Sequence, residues 1–250
     1  MVAILGIDIG GTGIKGAIVN VQSGEFLGDR FRIKTPHPAL PQAVVKTIRK
    51  MVDHFYYEGP IGITFPAIVK EGTVYSASNI PDQWIGKDAR ALFSKKLGRD
   101  VHVVNDADAA GIAEMQLGAG RKQKGVVVML TLGTGIGSAI FLNGKLLPNT
   151  EFGHLKIHDE IAERIASDHA RKQKGLSWEK WAKALNELLN EMELLLSPDL
   201  FILGGGVSKN STKFLPFLKL KTHVRIVPAQ LLNNAGIVGA AICAQEKPFP

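Results

Sequence analysis

The sequence predicts an α/β protein with two lobes, and three observations lead to this prediction. A strand, a glycine loop and a second strand occur near the N-terminus, in DIGGTGIKGAI, and again in the middle of the chain, in TLGTGIGSAI. Apolar residues at helical spacing follow each hairpin. A chain of 250 residues is long enough for two small domains that share a cleft. We expect a small N-terminal lobe, 1–104, completed by a C-terminal helix in 229–250, and a larger lobe, 105–228.

The first lobe is predicted to begin with a β-meander. The apolar run 2–9 indicates a buried strand, a second strand follows the glycines, and a polar turn at 20–24 separates it from a third run. In 39–58 apolar residues such as Val44, Ile48 and Met51 recur at helical spacing, which predicts a helix. The predicted strands are 2–9, 14–19, 26–33, 60–65, 68–75 and 101–104, and the predicted helices are 39–58, 85–97 and 106–118.

The second half repeats this scheme. A strand over 126–132, the loop GTGIG and a strand over 138–142 come first, and the chain then turns at Asn143-Gly144, which predicts a hairpin. Helices are predicted over 160–173 and 177–196, a strand over 200–203 and a last helix over 236–244. The likeness between the two glycine hairpins suggests a duplicated phosphate-binding device, although the similar stretch is too short to prove duplication.

Composition and charge exclude several classes of protein. Hydrophobic content of 45% and charged content of 21% are typical of a soluble globular protein. The apolar runs are too short to cross a bilayer and the first residues do not resemble a signal peptide, so we expect a cytoplasmic protein. One cysteine, Cys243, allows neither an intrachain disulfide nor a thiolate zinc cluster. The net charge of +7 suggests an anionic partner, but the basic clusters lack the interleaved aromatics of a nucleic-acid platform, so neither nucleic acid nor membrane is expected as a partner.

The first glycine loop matches G-x-G-x-x-G at Gly11, Gly13 and Gly16. A dinucleotide-binding turn needs its third glycine to open a helix, whereas the residues after Gly13 are strand-like, so that interpretation fails. The alternative is a β-hairpin whose glycines let backbone N–H groups approach an anion. Asp8 stands at the mouth of this hairpin and would repel phosphates without a divalent cation. It is interpreted as a carboxylate that organises Mg²⁺, through water, with a turn-capping aspartate as the alternative.

Five segments in this order resemble one family. DIGGTGIK, VVNDADAAGIAE, LTLGTGIGSAI, NTEFGHL and LFILGGGVS are similar to the ROK branch of the actin/hexokinase-like sugar kinases, and the match extends over 4–244. The resemblance implies an actin-like ATPase (ribonuclease H-like) fold with two lobes and a central cleft. Within the branch, FPAIVKEGTVYSASNI, LPNTEFGHL and AGIVGAAI resemble the polyphosphate glucokinases, a group that phosphorylates glucose from inorganic polyphosphate, often with ATP as second donor.

The resemblance implies transfer of a phosphoryl group to the 6-hydroxyl of glucose, with Mg²⁺ as cofactor and a homodimer as the common assembly. Such a transfer needs a base, a cation on the donor and groups that stabilise the transferred charge. Asp106, between a buried strand and a helix, resembles the general base. Its alternative role is to cap that helix, which would not exclude catalysis. The family pattern gives Asp108 no role.

The donor would be bound by both hairpins and by a glycine triplet. Thr12 and Thr134 would face the transferred group, and Lys15 is a candidate point charge. The triplet resembles the segment that meets adenosine in ATP-using relatives, but it could serve tight strand-to-helix packing instead. The candidate donor-binding residues are Asp8, Gly10, Gly11, Thr12, Lys15, Gly133, Thr134, Gly135, Gly137, Gly204, Gly205 and Gly206.

Sugar recognition requires polar groups that pair with several hydroxyls. The candidates by resemblance are Asn79, Asn105, Asp106, Glu151, His154 and Glu163. Many ROK proteins use the histidine of E-F-G-H with a cysteine cluster to hold zinc, and this chain has no such cluster. We therefore expect no zinc site and a His154 that is free to contact the sugar.

Other functions remain open on the sequence alone. An ATP-only ROK hexokinase would share these motifs, and a sugar sensor would keep the sugar residues while losing the base or the loops. ROK repressors carry a helix-turn-helix before the core, and since the first strand begins at residue 2 we do not expect one. A further hypothesis from sequence neighbourhood is that basic residues guide a long phosphate chain. They are Arg121, Lys122, Lys124, Lys209 and Lys213.

Overall fold

The computed structural model describes residues 2–77, 80–222 and 224–245. The chain divides into two compact units, the first formed by 1–113 with 234–250 and the second by 114–233. Each unit has its own five-stranded sheet. The first junction lies within a helix, Asp106–Leu117, a few residues beyond the predicted lobe boundary. None of the helices in the described ranges is long and apolar enough to cross a membrane.

The first unit is built on a sheet whose first three strands form an antiparallel meander. Its elements in chain order are β1 (Ala3–Ile9), β2 (Ile14–Asn20), β3 (Phe31–Ile33), α1 (Pro41–Phe55), β4 (Ile61–Phe65), β5 (Val69–Lys70), β6 (Thr73–Val74), α2 (Ala89–Leu97), β7 (Val101–Asn105) and α3 (Asp106–Leu117). The sheet order is β3-β2-β1-β4-β7, with β4 parallel to β1 and β7 parallel to β4. The predicted meander and the first buried strands are thus confirmed.

Three predicted elements of the first unit are shorter than expected. The third strand was predicted over 26–33, but Gly28 has φ +119° and only Phe31–Ile33 continues the ladder. The predicted strand 68–75 is instead a two-stranded hairpin, β5–β6, that turns at two residues with positive φ, Glu71 and Gly72. Helix α2 begins later than predicted because the Asp88 side chain caps it by accepting from the backbone N–H of Ala91.

The second unit repeats the meander and adds two parallel pairings and several helices. Its elements are β8 (Val126–Leu132), β9 (Ile136–Leu142), β10 (Lys145–Leu147), β11 (Lys156–Ile157), β12 (Glu160–Ile161), α4 (Ala162–Ala166), α5 (Asp168–Gln173), α6 (Trp178–Leu196), β13 (Leu200–Gly204), α7 (Ser211–Phe214) and β14 (Arg225–Pro228), before α8 (Ala235–Gln245) returns to the first unit. The two parallel pairings are β13 with β8 and β13 with β14, and the order of the strands in the sheet is β10-β9-β8-β13-β14.

The prediction of one helix over 160–173 is wrong. Ser167 has extended backbone (φ −71°, ψ 158°) and its side chain accepts from the N–H of Ala170, so it ends α4 and caps α5. Helix α6 matches its prediction, with Ser177 as N-cap and buried side chains such as Leu185, Leu188 and Met192 at helical spacing. The short strand β14 was not predicted.

Both sheets have the same strand order, third-second-first-fourth-fifth in each unit. The first, fourth and fifth strands run parallel, so their carboxyl ends lie along one edge of each sheet. In open α/β sheets this edge is where ligands bind. The glycine loops follow the first strands, β1 and β8, and therefore lie at that edge.

Helix α8 packs closely on the first sheet because glycines leave room for its backbone. A Cβ at Gly6 would lie 2.1 Å from the carbonyl oxygen of Ile237, and one at Gly62 would lie 1.8 Å from that of Ala240. On another side of α8, a Cβ at Gly239 would lie 1.8 Å from the carbonyl oxygen of Ala109. These positions exclude any larger residue, which explains glycines inside otherwise apolar strands.

Candidate active site

The first glycine loop is a tight hairpin between β1 and β2. The N–H of Gly10 donates to the carbonyl of Gly13 over 3.2 Å, and the hydroxyl of Thr35 donates to the carbonyl of Gly10 over 2.6 Å. Gly11 and Thr12 at the tip are exposed, and a Cβ at Gly11 would meet nothing within 4 Å. The loop therefore presents open backbone at the carboxyl end of β1, as an anion-binding turn requires.

Asp8 lies at this edge between two partners. Its Oδ2 is 3.3 Å from the Nζ of Lys15, which stands opposite it in the β1–β2 ladder. Its Oδ1 accepts from the hydroxyl of Thr64 over 2.9 Å, and the same hydroxyl accepts from the N–H of Ile9 over 3.2 Å. Lys15 thus points to the loop, and the Asp8 carboxylate is held in place by the neighbouring strand β4.

The carboxylate beside the first loop is of a type that can help to hold a magnesium ion at a phosphate donor. Mg²⁺ in such sites keeps several waters and takes only one or two carboxylates. Asp8 is a single carboxylate with its side chain 18% exposed, and the Nζ of Lys15 lies 3.3 Å from it. Among residues 2–77, 80–222 and 224–245, no three or more His, Cys, Asp and Glu side chains cluster to hold a metal ion.

Asn105 ends β7 and Asp106 begins α3 at the same sheet edge. Residues Asp8 and Thr64 are paired in register, and β7 is the next strand, so the β1 and β7 ends lie about 10 Å apart. The Oδ1 of Asn105 accepts from the N–H groups of Ala107 and Asp108 over 2.9 and 3.0 Å. Its Nδ2 donates to the carbonyl of Ala67 over 3.0 Å.

These bonds separate capping from the candidate base. The buried Asn105 caps α3, whereas Asp106 is exposed and its Oδ1 accepts from the adjacent N–H of Ala107 over 2.8 Å. Asn105 therefore provides most of the cap of α3, which was the alternative role considered for Asp106. An exposed carboxylate at a fixed strand end has the position that a general base needs.

A cavity of about 410 Å³ opens beside the first loop, within the size range of small-molecule sites. Gly10 and Gly11 form part of its wall, and the rest is mostly apolar, including Phe65 and the fully buried Trp84. The indole N–H of Trp84 donates to the carbonyl of Ala39 over 2.8 Å, which fixes this wall. Asn79, a candidate for sugar binding, lies outside the described residues.

The second glycine loop joins β8 to β9 in the second unit. The N–H of Gly133 donates to the carbonyl of Gly135 over 3.0 Å, and Thr134 at the tip is exposed. In the ladder Thr131 faces Gly137, the positions that Asp8 and Lys15 occupy in the first hairpin. The strands of the two hairpins therefore pair in the same way, but the second loop is one residue shorter and its ladder has no charged pair at this position.

Three sugar-binding candidates converge in the second unit. The Nδ1 of His154 is 3.6 Å from Oε2 of Glu151, and its Nε2 is 4.0 Å from Oε1 of Glu163. The Glu163 carboxylate also reaches the second loop, where Oε2 accepts from the N–H of Ile136 over 3.4 Å. All three side chains are one third to one half exposed, so the cluster has an accessible face.

The E-F-G-H segment is anchored on β9. The hydroxyl of Ser138 accepts from the N–H of Phe152 over 3.0 Å and donates to the carbonyl of Thr150 over 2.8 Å. A Cβ at Gly153 would lie 2.1 Å from the carbonyl oxygen of Ile136, so only glycine fits there. This close packing fixes the backbone on both sides of the candidate glutamate and histidine.

The pKa of one carboxyl in this cluster, that of Glu151, is shifted. Burial has the largest effect and raises the pKa of Glu151, the attraction of His154 works against it, and the negative charge of Glu163 adds to it. The net result is a pKa above the ordinary value of a glutamate. A carboxyl with raised pKa beside an imidazole and a second carboxyl is typical of a functional site.

The glycine triplet follows β13 beside the second loop. Gly205 has φ +80°, and a Cβ there would lie 2.6 Å from the carbonyl oxygen of Leu132. A Cβ at Gly204 would lie 2.6 Å from the terminal carbon of Met129. Gly206 is exposed with nothing within 4 Å. Tight packing thus accounts for the first two glycines, and only the third presents open backbone to a ligand.

The five basic residues that were predicted to guide a phosphate chain do not all lie at the same end of the sheet in the second unit. Arg121, Lys122 and Lys124 precede β8, whereas the second loop follows it, so the strand of seven residues separates them by roughly 20 Å. Lys209 and Lys213 instead follow the glycine triplet, at the loop end of the sheet. The first three residues are therefore removed from the hypothesis.

Thr64 and Ser138 are site residues that the sequence analysis did not identify. Each is a polar side chain buried inside an apolar strand, with exposed fractions of 0% and 1%. Their partners, Asp8 and Phe152, are 56 and 14 residues away. A hydroxyl in a fully buried run was the only available signal, since buried polar groups need a partner.

Comparison with known proteins agrees with these features. The model of the ROK family matches residues 4–167. Polyphosphate glucokinase of Mycobacterium tuberculosis is 48% identical over 240 residues, which cover 96% of this chain and 90% of that protein. The crystal structure of inorganic polyphosphate/ATP-glucomannokinase from Arthrobacter sp. strain KM has a TM-score of 0.92 and 49% identity, and the match covers 97% of this chain and 98% of that one.

A second solved structure is similar over the whole chain. The ROK family glucokinase from Streptomyces griseus, in complex with glucose and AMPPNP, has a TM-score of 0.83 and 26% identity, with 98% of this chain and 99% of that one covered. The family model spans more than half of the chain, and the Mycobacterium relative is nearly half identical along it. This protein therefore belongs to the ROK family and has the actin-like ATPase fold of its sugar kinases.

Proposed function

We propose that this protein is a glucose kinase that transfers a phosphoryl group from inorganic polyphosphate to the 6-hydroxyl of glucose, with ATP as second donor. The observation that carries the proposal is the 48% identity over 96% of the chain to polyphosphate glucokinase of M. tuberculosis. The polyphosphate/ATP-glucomannokinase of Arthrobacter, at 49% identity, supports the use of both donors. The product is glucose 6-phosphate, so the reaction opens carbohydrate breakdown by glycolysis.

Asp106 is the proposed general base. It accepts the proton of the glucose 6-hydroxyl as that oxygen attacks the terminal phosphorus of the donor, and the bond from phosphorus to the leaving phosphate oxygen breaks. Its exposure at a strand end and the capping of α3 by Asn105 support this role, because the carboxylate reaches the surface while the neighbouring residue stabilises the helix start.

The two hairpins are the proposed donor-binding elements. Backbone N–H groups near Thr12 and Thr134 stabilise negative charge on phosphate oxygens, as fixed dipoles do at developing charge. Lys15 adds a point charge at the first loop. Asp8 would hold Mg²⁺ through water, and when bound this ion neutralises part of the charge on the donor.

Glucose is proposed to be bound by the cluster of Glu151, His154 and Glu163, together with Asn105 and Asn79. Carboxylates accept from sugar hydroxyls and an imidazole nitrogen can donate or accept, so the cluster can pair with several hydroxyls at once. His154 lies 3.6 Å from the Glu151 carboxylate and 4.0 Å from that of Glu163, which supports a shared role for these three residues. A homodimer and a cytoplasmic location, where ATP is available, complete the proposal.

The deciding experiment compares donors. Initial rates of glucose 6-phosphate formation are measured with Mg²⁺ and either ATP or long-chain polyphosphate, for the wild type, for Asp106→Asn and for the exposed control Asp159→Asn. We expect turnover with polyphosphate, a fall of about 10² to 10⁴ in kcat for Asp106→Asn, and no change for the control. Turnover with ATP alone would make the protein an ATP-dependent ROK glucokinase. Glucose binding without turnover would make it a sugar sensor.

A further inference from the structure

Positive charge is concentrated in one stretch of the second unit and its continuation. Residues 200–245 contain no Asp or Glu, and they contain five basic residues. These are Lys209, Lys213, Lys219, Lys221 and Arg225. The formal net charge of the whole chain is +7, so most of the excess can be assigned to this stretch. Its location in the fold decides which of these charges can meet a phosphate donor.

Only Lys209 and Lys213 lie close in sequence to the proposed donor site. They follow the triplet in which Gly205 packs against Leu132, the residue before the second loop. Lys219 and Lys221 lie elsewhere, because their backbone N–H groups donate to Asn186 and Glu193 on α6. Along α6, Asn186 lies about 12 Å and Glu193 about 22 Å from Trp178, so these two lysines serve as a reference away from the indole.

A second basic segment also begins at the second loop. The N–H of His169 donates to the carbonyl of Gly133 over 3.0 Å, so α5 starts against the loop. Helix α5 carries Arg171 and Lys172. The guanidinium of Arg171 lies 3.8 Å above the ring of Trp178, and the Nζ of Lys213 lies 6.0 Å from the same ring. Cations from two segments that both start at the loop therefore converge on one indole.

The residues around Trp178 carry more positive than negative charge, and the indole ring at their centre is held in place. Asp168 accepts from Arg171 over 3.0 Å and lies 2.6 Å from Lys172, so one carboxylate faces both cations. With Lys209 and Lys213 included, four cations stand against that single carboxylate. Trp178 itself stacks on Phe214 at a centroid distance of 6.0 Å, which fixes the ring. Lys172, Lys209 and Lys213 are exposed and available to an anion.

We propose that Lys172, Lys209 and Lys213, with Arg171 held on Trp178, bind the phosphates of a polyphosphate chain that extend beyond its reacting end. We call these five residues the tryptophan-centred patch. The inference rests on the proposed function, in which the second loop, with the first, binds the donor phosphates. A long chain carries one negative charge or more per phosphate and must run along the surface, whereas ATP ends after three phosphates. The patch therefore favours long donors.

The test is a pair of charge-matched double variants. Lys209→Gln/Lys213→Gln removes two charges from the patch, and Lys219→Gln/Lys221→Gln removes two from the same acid-free stretch at a distance. KM is measured for long-chain polyphosphate, tripolyphosphate and ATP at low salt, and thermal unfolding checks that both variants are folded. We expect KM for long-chain polyphosphate to rise about fivefold or more in the patch variant only, with the other two donors and kcat unchanged.

A second readout does not depend on turnover. Trp84 and Trp181 are fully buried and Trp178 is half-buried, so long-chain polyphosphate should change tryptophan fluorescence mainly through Trp178. We expect a saturable change that Trp178→Phe abolishes. Equal KM values in the two double variants, or a change that persists in Trp178→Phe, would overturn the inference. Failure of the proposed function is distinct, since the wild type would then form no glucose 6-phosphate from polyphosphate.

Discussion

The carboxylate of Glu163 lies directly against Gly135 in the second loop. Its Oε2 accepts from the N–H of Ile136 over 3.4 Å, and a Cβ at Gly135 would lie 2.4 Å from the same oxygen. Within the second unit, the candidate sugar cluster and the candidate donor loop are therefore mechanically connected. A change in one is expected to displace the other.

Gly135→Ala tests this connection. The added methyl group would displace the Glu163 carboxylate, so we expect KM for glucose to rise about fivefold, the effect of losing one hydrogen bond of roughly 1 kcal/mol. Gly133→Ala is the control, because a Cβ there would meet nothing within 4 Å. Steady-state kinetics with glucose as varied substrate measures both. An equal KM in the two variants would show that Glu163 adjusts without loss of sugar binding.

Thr64 should stabilise the first loop through its hydroxyl. Thr64→Val keeps the shape but leaves the N–H of Ile9 and the Oδ1 of Asp8 without this partner, in a position that is 0% exposed. We expect the free energy of unfolding to fall by about 1–3 kcal/mol. Thr64→Ser retains the hydroxyl and should cost clearly less. Urea denaturation of both variants checks the order, and a valine variant as stable as the serine variant would contradict it.

Substitutions in the glycine triplet should distinguish a glycine that is needed for packing from one that contacts the ligand. Gly205→Ala places a Cβ 2.6 Å from the Leu132 carbonyl at φ +80°, so we expect a loss of about 1–3 kcal/mol or more in stability. Gly206→Ala meets no neighbour and should leave the melting temperature unchanged. If Gly206 faces the donor, its variant raises KM for ATP. Unchanged ATP kinetics in a stable Gly206→Ala would assign the triplet to packing alone.

Glu193 should make stability depend on acid pH. Burial raises the pKa of Glu193, but hydrogen bonds from the Thr222 hydroxyl and from the N–H groups of Lys221 and Thr222 outweigh it, and the pKa lies below the ordinary 4.5. A lowered folded-state pKa contributes stability above the unfolded value, and this is lost as pH falls through the folded value. We expect Glu193→Gln to be less stable than the wild type by about 1.5 kcal/mol at pH 7.

The difference should shrink as the pH is lowered below about 4.5. Chemical denaturation at several pH values measures it, with Glu187→Gln as an exposed control on the same helix. A constant difference between Glu193→Gln and the wild type at all pH values would show that the carboxylate charge is not what binds the 221–222 backbone.

The elements of the fold that the sequence predicted correctly are those with long apolar runs. The strands β1, β2, β4, β7 and β8 and the helix α6 are periodic over five or more residues, and their predictions are confirmed. The two-residue strands β11 and β12 carry no such pattern. The partly buried strand β14 has the sequence RIVP, and its pairing with β13 depends on a partner more than twenty residues earlier.

The site shows the same limit. The motifs could be used to select Asp8, Glu151 and His154 as candidates, because they are read from local sequence, and their roles stay predictions. Lys15 could be predicted to face Asp8 only once the hairpin register was known. The sequence hypothesis grouped Arg121, Lys122 and Lys124 with the lysines after the triplet because nearness along the chain ignores the length of the strand between them and the second loop.

The cross-strand pair Asp8 and Lys15 in the first hairpin is replaced by Thr131 and Gly137 in the second. The negative charge at the second loop comes instead from Glu163 on α4, whose carboxylate lies against Gly135. One topology therefore receives its carboxylate from inside the hairpin in the first unit and from a separate helix in the second. A substitution at Asp8 changes the hairpin itself, whereas a substitution at Glu163 changes the charge at the second loop without altering either of its strands.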